Sequence, residues 1–530
     1  MPAYPCDGQP ETAKGRYSRL CPHDTDHWAG HDESALTTLA EGMRDSKDRR
    51  LARARYLQSV ATVPSGYVYL GQFIDHDITK DNRYPADVNP DVSDTLNFRT
   101  ARFDLESLYG ADPAEVRCIY DDQDSEKLKL GLTKEAIRDG VTFPSSQDDL
   151  PRNEKGEAVI IDPRNDENLF VAQLQVLFSK FHNCMLRFLR QDPQLAKNLA
   201  LGPNATWFEK ARRFVTWHYQ WIILHDFLPA IAQTAILTQI EKGAQPWLYP
   251  SGWYTPADAP VELPVELSVA AFRFGHSMVR EAYRWNSHLL AERSSTIIFL
   301  THRGGGIQDR NGLPADYVVD WGHLFGSSNS VNHARPIGPV ITEMLYDLPK
   351  ELEEAFRKQT QLGKTEAPYN PEPVGPAPGD DQSGDHFKGR PRMMPSLPEM
   401  TLKRGSRIRL PGGEEFADRF KFPPLNPKTM FPGGQYDFFR GSLGERTPLW
   451  YYLLCEAAIE HPVGWAKQRL GTIGSHIVAE TLYQLLKADD DSILNAGART
   501  GWTPPIVTGG RFQWKLDTMS SLTRFVAAEF

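Results

Sequence analysis

The most regular hydrophobic spacing in this chain lies between Leu169 and Leu189. Apolar residues fall at Phe170, Leu174, Leu177, Phe178, Phe181, Met185 and Leu189. Steps of three and four gather them on one side of a helix and predict a long, deeply buried one. Trp207 to Leu228 repeats the pattern with more aromatic residues, and Pro448 to Glu460 and Ser475 to Leu486 give two further helical stretches. Sustained alternation, the mark of a half-buried strand, is scarce. The pattern predicts a mainly α fold with long loops and few short strands.

One stretch interrupts it. Lys364 to Pro398 holds eight prolines, several glycines and acidic residues, and almost no periodicity. It reads as an irregular surface loop. It is not a domain boundary, because residues suited to one site lie on both sides of it. The expectation is a single large domain over residues 1–530 with this loop inside it. No repeat of 20 to 50 residues is visible.

Composition narrows the function classes. With 40% hydrophobic and 24% charged residues the chain is an ordinary globular protein. Its net charge of -9 comes without a basic stripe, so no nucleic-acid partner is expected. No apolar run reaches bilayer length, so no transmembrane segment is expected. Met1 to Pro10 is polar and lacks the hydrophobic centre of a signal peptide. The expected location is the cytoplasm, or outside the cell by a route without a cleavable signal. The cysteines (Cys6, Cys21, Cys118, Cys184, Cys455) are scattered, with no CxxC pair, and imply neither zinc nor a disulfide framework. Cys184 falls within an apolar helical run and reads as a small buried hydrophobe.

The chemistry concentrates in Gly71-Gln72-Phe73-Ile74-Asp75-His76-Asp77-Ile78. At about 100° per residue, Gln72, Asp75 and His76 fit within one face of a helix, and Asp77 turns away. One short helix can thus offer an amide, a carboxylate and a neutral base to one pocket. Such a set suits activation of a small oxygen ligand beside a cofactor.

Four more segments follow the same logic. They are Thr100 to Gly110 (TARFDLESLYG), Asp162 to Glu167 (DPRNDE), Ala271 to His276 (AFRFGH), and Leu397-Pro398 through Leu410-Pro411-Gly412. With these five segments in this order, the chain resembles the animal-type haem peroxidases of the peroxidase–cyclooxygenase superfamily, with its bacterial branch the nearest likeness. The resemblance covers roughly residues 50 to 490. It implies one haem peroxidase domain and a haem b cofactor. It also implies an activity that uses hydrogen peroxide to oxidise halides, pseudohalides or small phenols through a ferryl porphyrin radical.

The resemblance also assigns roles. His76 becomes the distal acid–base group, and an imidazole of pKa near 6.5 suits taking a proton and returning it. Gln72 holds water or halide, and Arg164 supplies a cation that never loses its charge. Asp75 and Glu167 match carboxylates that form ester bonds to haem in mammalian members. The methionine that adds a sulfonium link in one of those enzymes is here Asn168. His276 resembles the axial iron ligand, Gly275 lets the backbone pass close to the macrocycle, and Arg273 is placed for a haem propionate. Where the family has an asparagine accepting the other imidazole N–H, this chain has Thr401, with Asn332 as a fallback. A calcium ion is implied at Asp77, Thr100, Arg102, Asp104 and Glu106, from an extended loop whose alternation turns oxygen donors to one side. Glu106 replaces the usual serine. Fatty-acid dioxygenases of the superfamily carry a tyrosine three residues before the axial histidine, and here that residue is Arg273. A non-catalytic calcium-binding or adhesion module is the remaining alternative, and the intact set Gln72, His76, Arg164 and His276 argues against it.

Overall fold

A helix forms where apolar residues recur at helical spacing behind a side-chain cap, and the central helix of this protein does both. The computed structural model describes residues 13–21, 30–45, 62–81, 95–110, 116–254, 261–303, 306–307, 312–326, 332–346, 396–431, 435–461 and 469–530. Its principal helices are α1 (Glu33–Gly42), α2 (Gly66–Ile78), α3 (Leu169–Gln191), α4 (Trp207–Ile222), α5 (Leu397–Arg407), α6 (Leu449–Glu460), α7 (Thr472–Ala488) and α8 (Met519–Glu529). Asn168 caps α3 by accepting from Val171 N. Thr206 and Glu209 form a reciprocal capping box on α4. The helix predicted over Trp207 to Leu228 continues past Ile222 through a π-turn, Ile223–Phe227, into Leu228–Ile231.

The core is built on α3, which is buried on nearly every side. Phe73 of α2 stacks on Phe178 of α3 with ring centroids 5.2 Å apart and planes 3° from parallel. Tyr219 of α4 stands edge-on to both. Phe525 of α8 closes the far end against Phe181 and Phe188. One continuous hydrophobic cluster runs from Tyr17 to Val526, so the described residues share a core from near one end of the chain to the other.

Strands are short, and one of them organises the site. β1 (Gly15–Ser18) pairs antiparallel with β2 (Leu96–Asn97) and parallel with β5 (Leu263–Pro264). β2 leads into the loop from Arg99 to Glu106, and β5 leads into the segment ending at His276. The hairpin of β3 (Ala136–Arg138) and β4 (Val141–Phe143) turns at Asp139-Gly140, both at positive φ. β6 (Ala282–Tyr283) pairs with β7 (Glu292–Arg293), and β8 (Ile506–Gly509) pairs with β9 (Phe512–Lys515).

Three expectations change. Thr100 to Glu106 is not extended: it bends, Leu105 takes a left-handed conformation at φ 57°, and Glu106 opens a short helix to Tyr109. Alternation therefore does not decide where its side chains point. Cys118 is disulfide-bonded, while Cys21, Cys184 and Cys455 are free and buried. A bridge had no signature in the spacing. The proline-rich loop lies outside the described residues up to residue 395, and its last residues, Leu397 and Pro398, already belong to the first turn of α5. No helix among the described residues is long and apolar enough to cross a membrane.

Candidate functional site

α2 carries the distal group. Its C-terminal end is fixed by Asn97, whose amide donates to Ile78 O and whose Oδ1 accepts from Lys80 N and Arg99 N. His76 is buried. Its Nδ1–H donates to Asn165 Oδ1 at 2.8 Å, and Asn165 Nδ2 donates to Gln175 Oε1 at 2.8 Å. Because the Asn165 amide nitrogen is occupied by Gln175, its oxygen faces the imidazole and sets the tautomer. Nε2 is left as the acceptor, 4.0 Å from Glu167 Oε2. Burial first, then the charge of Arg164, lowers the His76 pKa to about 4, so the ring is a neutral base at physiological pH.

Gln72 and Glu167 complete this side. Gln72 Nε2 reaches Glu167 Oε2 at 3.5 Å, while Asn168 Nδ2 donates to Gln72 Oε1 at 3.0 Å. Asn168 thus caps α3 and orients the glutamine together. Arg303 approaches Glu167 at 3.9 Å. Asn165, Gln175 and Arg303 escaped the sequence reading. The available signal was Gln175, an amide in the buried run of α3 that packing alone does not call for.

Arg164 sits differently from the expectation. Its Nε and Nη2 bind both oxygens of Asp162, and Nη2 also donates to His76 O at 2.9 Å. Arg99 holds the same carboxylate at 2.7 Å. Burial opposes ionisation of Asp162, but Arg164, Arg99 and Lys80 outweigh it and keep the carboxyl well below its usual range. Arg164 therefore braces the backbone at His76 from within an ion-paired cluster.

The segment Ala271–Phe274 leads into the short helix Gly275–Met278, which packs against α2. Arg273 Nε donates to Ser268 O, and its Nη2 lies 3.8 Å from Asp75 Oδ2, tying this segment to α2. Burial, then Arg273, lowers the His276 pKa to about 3. His276 Nδ1 is buried and has no hydrogen-bond partner among the described residues. Thr401 is not that partner: its hydroxyl donates back to Leu397 O along α5. Asn332 is engaged with Arg284 and His323. The register that selects Thr401 still places it in a small cavity lined by Leu402, Leu410 and Trp450. The Trp450 ring stands 6.0 Å from that of His276.

These residues fit a haem. Asp75 Oδ1, Glu167 Oε1 and His276 Nδ1 are buried without hydrogen-bond partners among the described residues. A Cβ built on Gly275 meets nothing within 4 Å, so open space lies beside the histidine. Unpartnered buried polar atoms are costly, and the carboxylate oxygens of Asp75 on α2 and Glu167 before α3 mark a place for a missing polar group.

The residues read as calcium ligands gather in part. Asp77 accepts from Leu105 N, Ser107 N and Ser107 Oγ. Thr100 Oγ1 donates to Asp104 Oδ2, and Thr100 N donates to Glu106 Oε2. The Arg102 side chain leaves the group for Asp489. Burial and the neighbouring Glu106 push Asp104 up to about 6, and burial with Asp104 holds Asp77 well above the usual carboxylate range. Yet both Asp77 oxygens are held by hydrogen-bond donors, and no metal-holding cluster of three His, Cys, Asp or Glu forms among the described residues.

Residues 80–302 match the family model for animal haem peroxidase. A peroxidase-like protein of Margaritifera margaritifera is 28% identical over 204 residues, 37% of this chain and 23% of its own. The chain spans about a quarter of the length of the curated relatives it matches. Peroxidase A from Dictyostelium discoideum superimposes with a TM-score of 0.56 at 14% identity, covering 92% of this chain and 90% of that one. A fatty acid alpha-dioxygenase of Oryza sativa gives 0.56 at 14% identity, covering 92% and 83%. The match to the family model spans residues 80–302, and the fold is the one that the Dictyostelium peroxidase and the Oryza dioxygenase share. These relatives do not place it within a bacterial branch.

Proposed function

We propose that this protein is a haem peroxidase that uses hydrogen peroxide to oxidise halides, pseudohalides or small phenols. The observation that carries the reading is the His76–Asn165–Gln175 chain. It leaves a neutral imidazole nitrogen directed at a cluster of polar groups, which is what proton transfer between two peroxide oxygens requires. His76 Nε2 takes the proton from one oxygen and returns it to the other, which departs as water. Gln72, oriented by Asn168, offers an amide hydrogen to the peroxide. His276 would hold a haem with Asp75, Glu167 and Arg273 around it, and that group would supply the electrons for O–O cleavage.

A dioxygenase shares the fold, and its reading is the weaker one. Arg273 occupies the place of the needed tyrosine and is bound to Ser268 and Asp75. The further features proposed are up to two ester links through Asp75 and Glu167, and a calcium ion at the Asp77–Glu106 loop to relieve its crowded carboxylates. Asn168 supplies no sulfur for a third link, so bromide, iodide, thiocyanate and phenols are expected to react more readily than chloride.

The purified protein should show a Soret band and peroxide-dependent dye oxidation. His76→Ala should keep haem and slow the peroxide reaction by roughly 10²–10⁴-fold, whereas His276→Ala should lose stable haem. A His76→Ala variant as fast as the parent would remove the assignment. Extraction into acid acetone after peroxide exposure should leave haem on the protein if the esters form. Metal analysis should find calcium in proportion to protein.

A further inference from the structure

Tyr69 lies on α2 two helical turns before His76 and on the same stripe as Gln72. From it a line of oxidisable aromatic rings leads outward. Tyr69 and Tyr283 stand 5.9 Å apart, centroid to centroid. Phe170 touches both, at 4.6 and 5.3 Å, and packs on Trp285 at 5.7 Å. Tyr283 and Trp285 are two residues apart, and Trp285 meets Tyr317 at 6.1 Å. Trp285 Nε1–H also donates to Tyr317 O at 2.9 Å, which couples the last two members. Tyr69, Tyr283 and Trp285 are buried, while Tyr317 is only half-buried, with Arg138 of the β3–β4 hairpin over one face of its ring.

Packing alone does not explain this choice of side chains. The Tyr69 and Tyr283 hydroxyls face one another in the core, so two oxidisable rings stand side by side where phenylalanine would fill the same volume. Elsewhere in the core, α2 meets α3 through Phe73 and Phe178, which cannot be oxidised as readily.

We propose that Tyr69, Tyr283, Trp285 and Tyr317 form an electron relay from the distal side of the site to the surface, so that phenols too bulky to enter are oxidised at Tyr317. The proposal rests on the peroxidase reading and adds a substrate class to it. Reduction of one hydrogen peroxide to two waters takes up two electrons and two protons. Each electron drawn inward along the relay leaves Tyr317 as a neutral phenoxyl radical, its phenolic proton passing to solvent. An external phenol then restores Tyr317 by giving up one electron and one proton. Two phenols become two phenoxyl radicals per peroxide, and the protons released at the surface balance those consumed inside.

The test uses the full, haem-loaded chain with hydrogen peroxide, with iodide as the small donor and tyramine coupled to dextran as the bulky one. Tyr317→Phe and Trp285→Phe are expected to keep iodide oxidation and to lose oxidation of the dextran-bound phenol. With a nitroso spin trap, mass spectrometry of the parent should find the adduct on Tyr317, and Trp285→Phe should lose it. Parental oxidation of the dextran-bound phenol by both variants, or no adduct on Tyr317 in the parent, overturns the relay. If Trp285→Phe does not fold, Tyr317→Phe, which removes one hydroxyl from a half-buried residue, decides alone. A haem-loaded parent that oxidises neither donor overturns the peroxidase reading and the relay with it, and iodide oxidation without the bulky reaction overturns the relay only.

Discussion

At the scale of single residues, the base of this site is defined less by its own side chain than by what stands behind it. Asn165→Ala removes the acceptor that holds His76 Nδ1–H, so the imidazole can rotate or change tautomer. The expected result is a loss on the order of 10²-fold in the rate of reaction with peroxide, with haem content unchanged, measured by stopped-flow absorbance. A second expectation concerns pH. His76 titrates near 4 in the folded protein, so its base form persists well into acid. The peroxide reaction should stay level from neutral pH down to about 5 and fall away through about 4, in a pH–rate profile taken at fixed haem load. Much of this site could be read in advance, since Gln72, Asp75 and His76 need only the helical repeat to share a face. Arg164 and Glu167 stand three apart and were as easily paired. Asn165 sits between them unremarked, because its importance depends on a partner 89 residues away. Thr401 was a matter of register, and the helix turned its hydroxyl back upon its own carbonyl.

At the scale of elements, α2 is held as a lever with a fixed end. Asn97 is buried and makes three hydrogen bonds to the chain around that end. Asn97→Ala leaves a carbonyl and two N–H groups to find new partners, at a cost of about 2–4 kcal/mol in unfolding free energy measured with urea. Hydrogen exchange in the last turn of α2 should quicken in the same variant, and a variant with unchanged exchange would show that the clamp is not needed. The helices themselves were legible, because their apolar stripes repeat with the right period and carry their own caps. The loop from Thr100 to Glu106 was not, because a left-handed leucine at position 105 has no sequence signature.

Over the whole molecule, buried titratable groups of two kinds set the acid and base limits of stability. His76, His182 and His218 have folded pKa values near 4, and His276 near 3, against 6.5 in the free side chain. In each case burial is the first cause. Their neutral forms stabilise the fold fully above 6.5, and that contribution is lost as pH falls through about 4. Glu456 runs the other way: burial, then Glu460, raises it to about 8 from 4.5, so its contribution is present at low pH and is lost as pH rises through about 8. The histidines lose their contribution on the acid side, and Glu456 loses its own on the alkaline side as pH passes about 8. The haem-free protein should therefore be most stable near pH 6–7, as found by urea unfolding across pH. A midpoint still rising at pH 9 would show that the buried carboxyl is not protonated as described.

The placement of β1 has a kinetic side. Leu20 N is bonded to Glu266 across 246 residues, and the strand just before it pairs with both β2 and β5. β1 can meet β2 early, but its bonds to β5 and Glu266 must wait until the chain has been made as far as Glu266, 246 residues on from Leu20. Closing so long a loop is slow, and it falls late in assembly. The two walls of the site would meet before they are stitched together, leaving an interval in which a flat cofactor can slide between them.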